Sequence, residues 1–448
     1  MFLEPSAAKV HDSHAEFPCP TQSICPECGH VLEAILDTDH NQVWMNKNCP
    51  VHGRYTELIS SDVDFFVKRR RTHFNYPTGV KTIETSSAGH CPEKCGLCSE
   101  HKSTPCQVNI DLTNRCNLNC PICFANANAS GRVFDFTLQQ LEPILDKTMS
   151  LKPNPPFSIM YTGGEPTIHP DFCKAVQMAK DKGFLEILVA SNGLRFAQSE
   201  DFTNQCSRSG LNNVYLQFDG MTDDIYEQSR GRPLFSTKMQ AMENLRQAGI
   251  KVTLVPTIVR GLNEHQIGDI FRLAVENTDV VSAVSFQPVS LTGRIDASKR
   301  REMRYTMADM ARDLEEQDGT VGMHEDWYPY SIVNPISRLT EALTGQPKVH
   351  FNCHPHCGVA SYLLVDRETK EVTPFTRFLD IEGAMADINK EARAIESRPW
   401  RQKLTRIQML RTLKKHFRHK QAPAGLSFDH IIEFVNTFIR ERDESERL

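Results

Sequence analysis

The sequence lacks an excess of either charge and any long apolar run. Its 51 Lys and Arg against 56 Asp and Glu leave a net charge of -5 over 448 residues, so nothing in the overall charge calls for a nucleic-acid partner. The one compact basic cluster near the cysteine-rich region, residues 68–71 (KRRR), is too small a surface for a nucleic-acid-binding ribbon. No segment approaches the roughly 18 to 20 apolar residues of a membrane span, and no apolar stretch follows a basic region near the start. The expectation is a soluble, unexported, cytoplasmic protein. Cysteine is scarce beyond position 123, where only Cys173, Cys206, Cys353 and Cys357 occur.

What is abundant is cysteine before that point. The chain has 15 cysteines, an odd count, and they bunch between Cys19 and Cys123. Without an export signal, bunched thiols point to metal rather than to disulfides. Most lie beside Pro, Gly or Asn, in loops that can turn several sulfurs toward one centre; Cys173 and Cys206 are instead assigned to packing.

Three regions follow. After a start expected to fray, residues 21–106 form a cysteine-rich metal-binding region with few long periodic segments. From residue 107 to 290, short β-branched runs alternate with amphipathic stretches, the pattern of βα units on a parallel sheet. Strands are predicted over 108–111, 158–161, 186–190, 213–217, 251–256 and 282–287, and helices over 138–150, 172–183, 237–248 and 264–276. Six such units make an α/β fold with an open, partial TIM-like barrel, whose chemistry belongs at the C-terminal ends of the strands. Residues 291–448 form a helical extension with Cys353, Cys357 and a basic stretch over 401–420. That stretch reads as a helix with one packed and one solvated face, with a peripheral contact to anionic head groups or an acidic redox partner as the alternative.

Directly after the first predicted strand comes DLTNRCNLNCPICF, holding Cys116, Cys120 and Cys123. Three thiolates in one loop can hold three corners of a cuboidal iron–sulfur cluster, and no fourth cysteine follows until Cys173. A metal left with an open position is reactive rather than structural. One βα unit later stands YTGGEP, in which Gly163 and Gly164 permit close backbone approach and Glu165 offers an acceptor. Ser191 and Asn192 end the third strand and Asp219 follows the fourth, so four successive strand ends carry polar or glycine-containing loops.

The earlier cysteines form two groups. Cys25 and Cys28 with Cys49 and His52 make two knuckles about twenty residues apart, suited to one tetrahedral zinc or rubredoxin-type iron, with Cys19 the rival of His52 for the fourth place. Cys91, Cys95, Cys98 and Cys106 supply four thiolates for an auxiliary [4Fe-4S] cluster, to which Cys353 and Cys357, or His354 and His356 between them, are further candidate ligands.

The C-x3-C-x2-C spacing of Cys116, Cys120 and Cys123 resembles the radical S-adenosylmethionine (SAM) superfamily, and Gly163-Gly164-Glu165-Pro166 its cofactor-binding loop. The resemblance implies a [4Fe-4S] cluster and SAM as cofactors. It also implies reductive cleavage to a 5'-deoxyadenosyl radical, contacts to SAM from Gly163, Gly164, Glu165, Ser191, Asn192 and Asp219, and reduced ferredoxin or flavodoxin as electron donor. In order, CPEC, CPVHG, CGLCSEHK, the radical motif, YTGGEP and HPHCG resemble the branch containing tetraether lipid synthase, earlier described as a pterin methyltransferase. That likeness implies hydrogen abstraction from an unactivated carbon for lipid carbon–carbon bond formation, with C-methylation of a pterin as the alternative. The small number of late cysteines argues against a peptide-modifying member. A simple iron–sulfur electron carrier, the non-enzymatic alternative, would have no use for the Gly-Gly-Glu loop.

Overall fold

The computed structural model describes residues 17–76, 81–82, 96–98, 101, 103–290, 294, 302–397, 414–423, 425–427 and 430. The N-terminal part is a four-stranded antiparallel meander of β1 (Cys19–Ile24), β2 (Val31–Asp39), β3 (Gln42–Cys49) and β4 (Gly53–Ser60). This corrects the expectation of a region with few periodic segments. In β2, VLEAILDTD alternates, burying Leu32, Ala34 and Leu36, the period of a sheet with one covered face. β1 begins at Cys19, inside the stretch expected to fray, because it pairs with β2 from Cys19↔Leu36 to Ile24↔Val31. Helix α1 (Val63–Arg71) follows, its N-terminus capped by the Asp62 carboxylate, which accepts from the Phe65 N–H at 2.7 Å.

The central region is an open parallel sheet. Its strands are β5 (Gln107–Thr113), β6 (Ser158–Gly163), β7 (Glu186–Ser191), β8 (Asn213–Gln217) and β9 (Lys251–Val255), then, after a two-residue β10 (Thr257–Ile258), β11 (Val281–Val284). They lie in the order β5-β6-β7-β8-β9-β11, all parallel, which makes the partial barrel. The fifth predicted strand ends at Val255, because Pro256 has no N–H to offer, and the sixth is broken into β11 and β12 (Gln287–Pro288); the ladder resumes where β10 pairs with β12. Helices α2 (Leu138–Met149), α3 (Phe172–Asp181), α4 (Leu194–Gln198), α5 (Glu200–Ser209), α6 (Asp223–Arg230), α7 (Phe235–Gln247) and α8 (Ile267–Glu276) cover one face. Of these α4, α5 and α6 were not expected: α4 is only five residues long, and α5 and α6 are mostly polar residues.

The register divides the sheet into rows. Ile110, Tyr161, Val189, Val214, Val252 and Val281 lie side by side and are all buried against the helices. One residue further on, the row reads Asp111, Thr162, Ala190, Tyr215, Thr253 and Ala283, continuing the β6/β7 register by one step, and faces the opposite, concave side.

The remaining residues add helices Met307–Asp318, Asn334–Thr344, Phe375–Phe378 and Ile381–Ser397 with two short antiparallel strand pairs. Residues 401–413, most of the basic stretch, lie outside the described residues. Among the described residues no helix is long and apolar enough to cross a membrane. Leu216, fully buried and packed under the β7 loop at Gly193, tests the core: Leu216→Ala should lower unfolding free energy by about 2–5 kcal/mol in urea titration.

Candidate active site and metal centre

The cysteine loop leaves the end of β5 and is clasped from several sides. The Asn128 side chain accepts from the Cys116 N–H at 3.0 Å and donates to the carbonyls of Cys116 and Leu118 at 3.1 and 3.2 Å. Arg294 pairs its backbone with Cys123, while its guanidinium donates to Asn119 Oδ1 at 2.6 Å and to the Cys120 carbonyl at 2.9 Å. From beneath, Arg230 donates to the Ile122 carbonyl at 2.9 Å and lies against the Cys120 thiol. All three thiols are half-buried. Burial first, then the charges of Glu165 and the other two cysteines, push the Cys116 thiol up to about 11, as expected of thiols gathered where a cation is to compensate them.

The β6 loop is bound to the cysteine loop through its backbone. Gly164 N–H donates to the Thr113 carbonyl and Glu165 N–H to the Arg115 carbonyl, both at 2.8 Å. A Cβ at Gly163 or Gly164 would collide with those same carbonyl oxygens, and Gly163 has φ +122°; only glycine allows the two loops to meet.

Glu165 is 1% exposed. One oxygen accepts from Thr167 Oγ1 at 2.6 Å and Ser191 Oγ at 2.8 Å, the other from Asn192 N–H at 2.7 Å. Burial raises its pKa against the effect of these donors. Asn192 Nδ2 donates to Asn117 Oδ1 at 2.7 Å, joining the β7 loop to the cysteine loop. Asp219 is fully buried, bound by Arg230 Nε and Nη2 at 2.6 and 2.8 Å, by Thr257 N–H at 3.1 Å and by Gln217. Lys238 donates to the Asn192 carbonyl at 2.6 Å and to Gln217 Oε1 at 3.1 Å, and burial lowers its pKa to about 7. The structure therefore joins Gly163, Gly164, Glu165, Ser191 and Asn192 to the cysteine loop. It places Asp219 below them, where it acts on Arg230.

Arg230, Lys238, Asn128 and Arg294 were missed. For Lys238 a signal exists: it falls in the apolar stripe of α7 with Ala241, Met242 and Leu245, where a solvated lysine has no place.

At the N-terminus Cys25, Cys28, Cys49 and His52 converge, with all four ligand atoms within 4.8 Å of one another. Cys28 and Cys49 sulfurs are 3.8 Å apart, and His52 Nδ1 is 3.6 Å from both Cys25 and Cys49. Bonds of ~2.3 Å to sulfur and ~2.0 Å to nitrogen give tetrahedron edges of ~3.8 and ~3.5 Å, so the donors fit a single ion. Against the opposing effect of desolvation, the N–H groups of Cys28 and Glu27 lower the Cys25 thiol to about 6. Cys19 instead accepts from Arg70 at 3.3 Å, leaving the fourth place to His52.

For the auxiliary group, Cys91 and Cys95 lie outside the described residues. Cys106 comes close to Cys353 and Cys357: burial, then the charges of Cys357 and Cys106, raise the Cys353 thiol. His356 stacks on Phe66, centroids 3.7 Å apart, and burial and the nearby Arg69 lower its pKa to about 2. Cys173 and Cys206 are buried in the barrel core with sulfurs 3.5 Å apart.

The chain matches the profile of the Radical SAM superfamily over residues 110–274 and that of the HMPTM N-terminal zinc ribbon domain over 17–61. It is 38% identical over 377 residues to 7,8-dihydro-6-hydroxymethylpterin dimethyltransferase of Methanocaldococcus jannaschii, covering 84% of this chain and 73% of that protein. The chain belongs to the radical SAM superfamily. The cofactors of this superfamily are a [4Fe-4S] cluster and SAM, and the zinc ribbon adds a separate metal site. A probable GTP 3',8-cyclase of Methanothermobacter thermautotrophicus is 25% identical over 185 residues, 40% of this chain and 56% of that protein. Streptococcus suis SuiB bound to S-adenosylmethionine shares 19% identity, with 48% of this chain and 47% of that chain covered at a TM-score of 0.39.

The donor set fits a radical SAM cluster: three thiols on one loop, a backbone cradle that a Cβ would fill, and a guanidinium beneath. Two outcomes follow. Gly164→Ala should abolish retention of the cluster, read as loss of bound iron and sulfide in anaerobically reconstituted protein, while the zinc stays bound. Purified wild type should carry one zinc per chain by elemental analysis, and Cys49→Ala should lose it and melt at lower temperature, because binding of a structural zinc is coupled to folding.

Proposed function

We propose that this radical SAM enzyme methylates carbon on a reduced pterin. The observation that carries the reading is the 38% identity to the pterin dimethyltransferase along 84% of the chain, zinc ribbon and barrel included. It favours pterin methylation over the lipid carbon–carbon coupling expected from the motif order.

In this reading Cys116, Cys120 and Cys123 would hold the [4Fe-4S] cluster and leave one iron without a protein ligand for SAM. The bound pair supplies one-electron cleavage of the sulfonium and a carbon radical able to take hydrogen from an unactivated position. The chain's own residues position and shield. Glu165, held by Ser191, Asn192 and Thr167, locks the β6 and β7 loops together, and those loops would bind SAM. Arg230, fixed bidentately by Asp219, sets the height of the Cys120–Cys123 segment and places positive charge beside Cys120. Cys25, Cys28, Cys49 and His52 hold zinc in the ribbon, whose three-sulfur, one-nitrogen set suits that ion. Four of the six thiols Cys91, Cys95, Cys98, Cys106, Cys353 and Cys357 would close the four corners of an auxiliary [4Fe-4S] cluster, and ferredoxin or flavodoxin delivers the electron.

Reconstituted enzyme given SAM and 7,8-dihydro-6-hydroxymethylpterin should form 5'-deoxyadenosine, methionine, S-adenosylhomocysteine and a C-methylated pterin by mass spectrometry, one SAM taking the hydrogen, a second giving the methyl, and dithionite supplying the two electrons. A triple Cys116/Cys120/Cys123→Ala variant should form neither. A coupled product from lipid extract, with the pterin unchanged, would refute the proposal.

A further inference from the structure

The concave row of the sheet does not look like the interior of a closed barrel. Such interiors are filled by bulky branched side chains, yet here the row is Asp111, Thr162, Ala190, Tyr215, Thr253 and Ala283. Two alanines leave volume, and hydroxyls and a carboxylate line it. The helix-facing row one residue earlier is buried and, apart from the Tyr161 hydroxyl bound to the Ala175 carbonyl, apolar, so the carboxylate and the threonine hydroxyls belong to one face. Asp111, Thr162, Ala190 and Tyr215 all keep part of their surface exposed.

Asp111 is the only charge in this row. Its Oδ1 accepts from Thr162 Oγ1 at 2.6 Å, which fixes the carboxylate's rotation, and among the described residues neither oxygen has a cationic partner. It stands two residues before the end of β5 and five before Cys116. At about 3.3 Å per strand residue this is one ligand-length below the cluster loop. On the other side of the trough, burial and then the nearby Tyr330 and Glu186 raise the Tyr215 hydroxyl, and Tyr330 is 42% exposed. A carboxylate held in one rotation by its neighbour, on a partly exposed polar face, suits a flat heterocycle that presents N–H donors.

We infer that Asp111, oriented by Thr162, binds the 2-amino-4-oxopyrimidine edge of the substrate. That edge offers a ring N–H and an exocyclic NH2 side by side, which a carboxylate can accept together in charge-assisted bonds. The inference rests on the pterin reading and adds to it the recognition contact. A 2-oxo analogue, in which a carbonyl replaces the amino group, turns an acceptor toward the carboxylate and is rejected.

The test is equilibrium binding to the anaerobic, cluster-loaded enzyme with SAM present, followed by quenching of pterin fluorescence. Wild type should bind the 2-amino pterin at least about 10-fold more tightly than its 2-oxo analogue, and Asp111→Asn should weaken pterin binding roughly 10- to 100-fold and erase the preference. Iron content and circular dichroism of the variant verify that it is folded and loaded. Equal binding of the two analogues by wild type overturns the assignment without using any variant. Tight pterin binding unchanged in Asp111→Asn overturns it too, leaving the pterin reading standing. No pterin binding by wild type sinks the pterin reading itself.

Discussion

Everything at the proposed reaction centre depends on two backbone hydrogen bonds, from Gly164 to Thr113 and from Glu165 to Arg115, each 2.8 Å long. They bring the loop after β6 into contact with the loop after β5, and no residue with a Cβ could stand at positions 163 or 164 without pushing those carbonyls away. Once that contact is made, Glu165 is carried into a buried site where only loop donors can satisfy it, and it recruits Ser191 and Asn192 from the third strand end. Asn192 then reaches back to Asn117 in the cysteine loop. The chain of bonds closes on itself, so the thiols are held by the fold and not by a metal alone.

Beneath this ring lies a buried set of charges that makes sense only together. Asp219 and Arg230 satisfy each other with two short bonds, and Arg230 spends its remaining N–H groups on Ile122 and Thr257. Removing one partner would leave the other as an uncompensated buried ion, a cost of about 3–5 kcal/mol. Lys238 sits close by with its pKa lowered to about 7 by burial. Arg230 faces the loop on which three thiolates must gather, so the low dielectric that makes its charge costly in isolation also makes it an effective neighbour for an anionic cluster.

The βα order was legible because β-branched runs and 3.6-residue periodicity are local signals, and α2, α3, α7 and α8 follow them closely. The cysteine motif and Gly-Gly-Glu were legible because their spacing to the strands carries the argument. The N-terminal sheet was not legible although β2 alternates cleanly: Cys25, Cys28, Cys49 and His52 give the turns between its strands a metal-site pattern that says nothing of the pairing. The Glu165 and Asp219 networks were not legible, since periodicity marks which residues turn inward and not which polar groups pair there. Arg294 is the extreme case, reaching Asn119 and Cys120 from more than 170 positions away, beyond any local pattern.

A parallel sheet has two faces that alternate residue by residue, and this one divides its work along that alternation. The row Ile110, Tyr161, Val189, Val214, Val252 and Val281 must fit the helices and tolerates little change in volume. In the next row Asp111, Thr162, Ala190, Tyr215 and Ala283 keep part of their surface exposed, so they can vary in size, charge and hydrogen bonding with less effect on that core. The loops at the strand ends serve the cofactor chemistry, which is common to the superfamily. Substrate choice is therefore expected in the concave row, where a single aspartate stands among alanines, threonines and a tyrosine and its one hydrogen bond to Thr162 leaves the second carboxylate oxygen for a ligand.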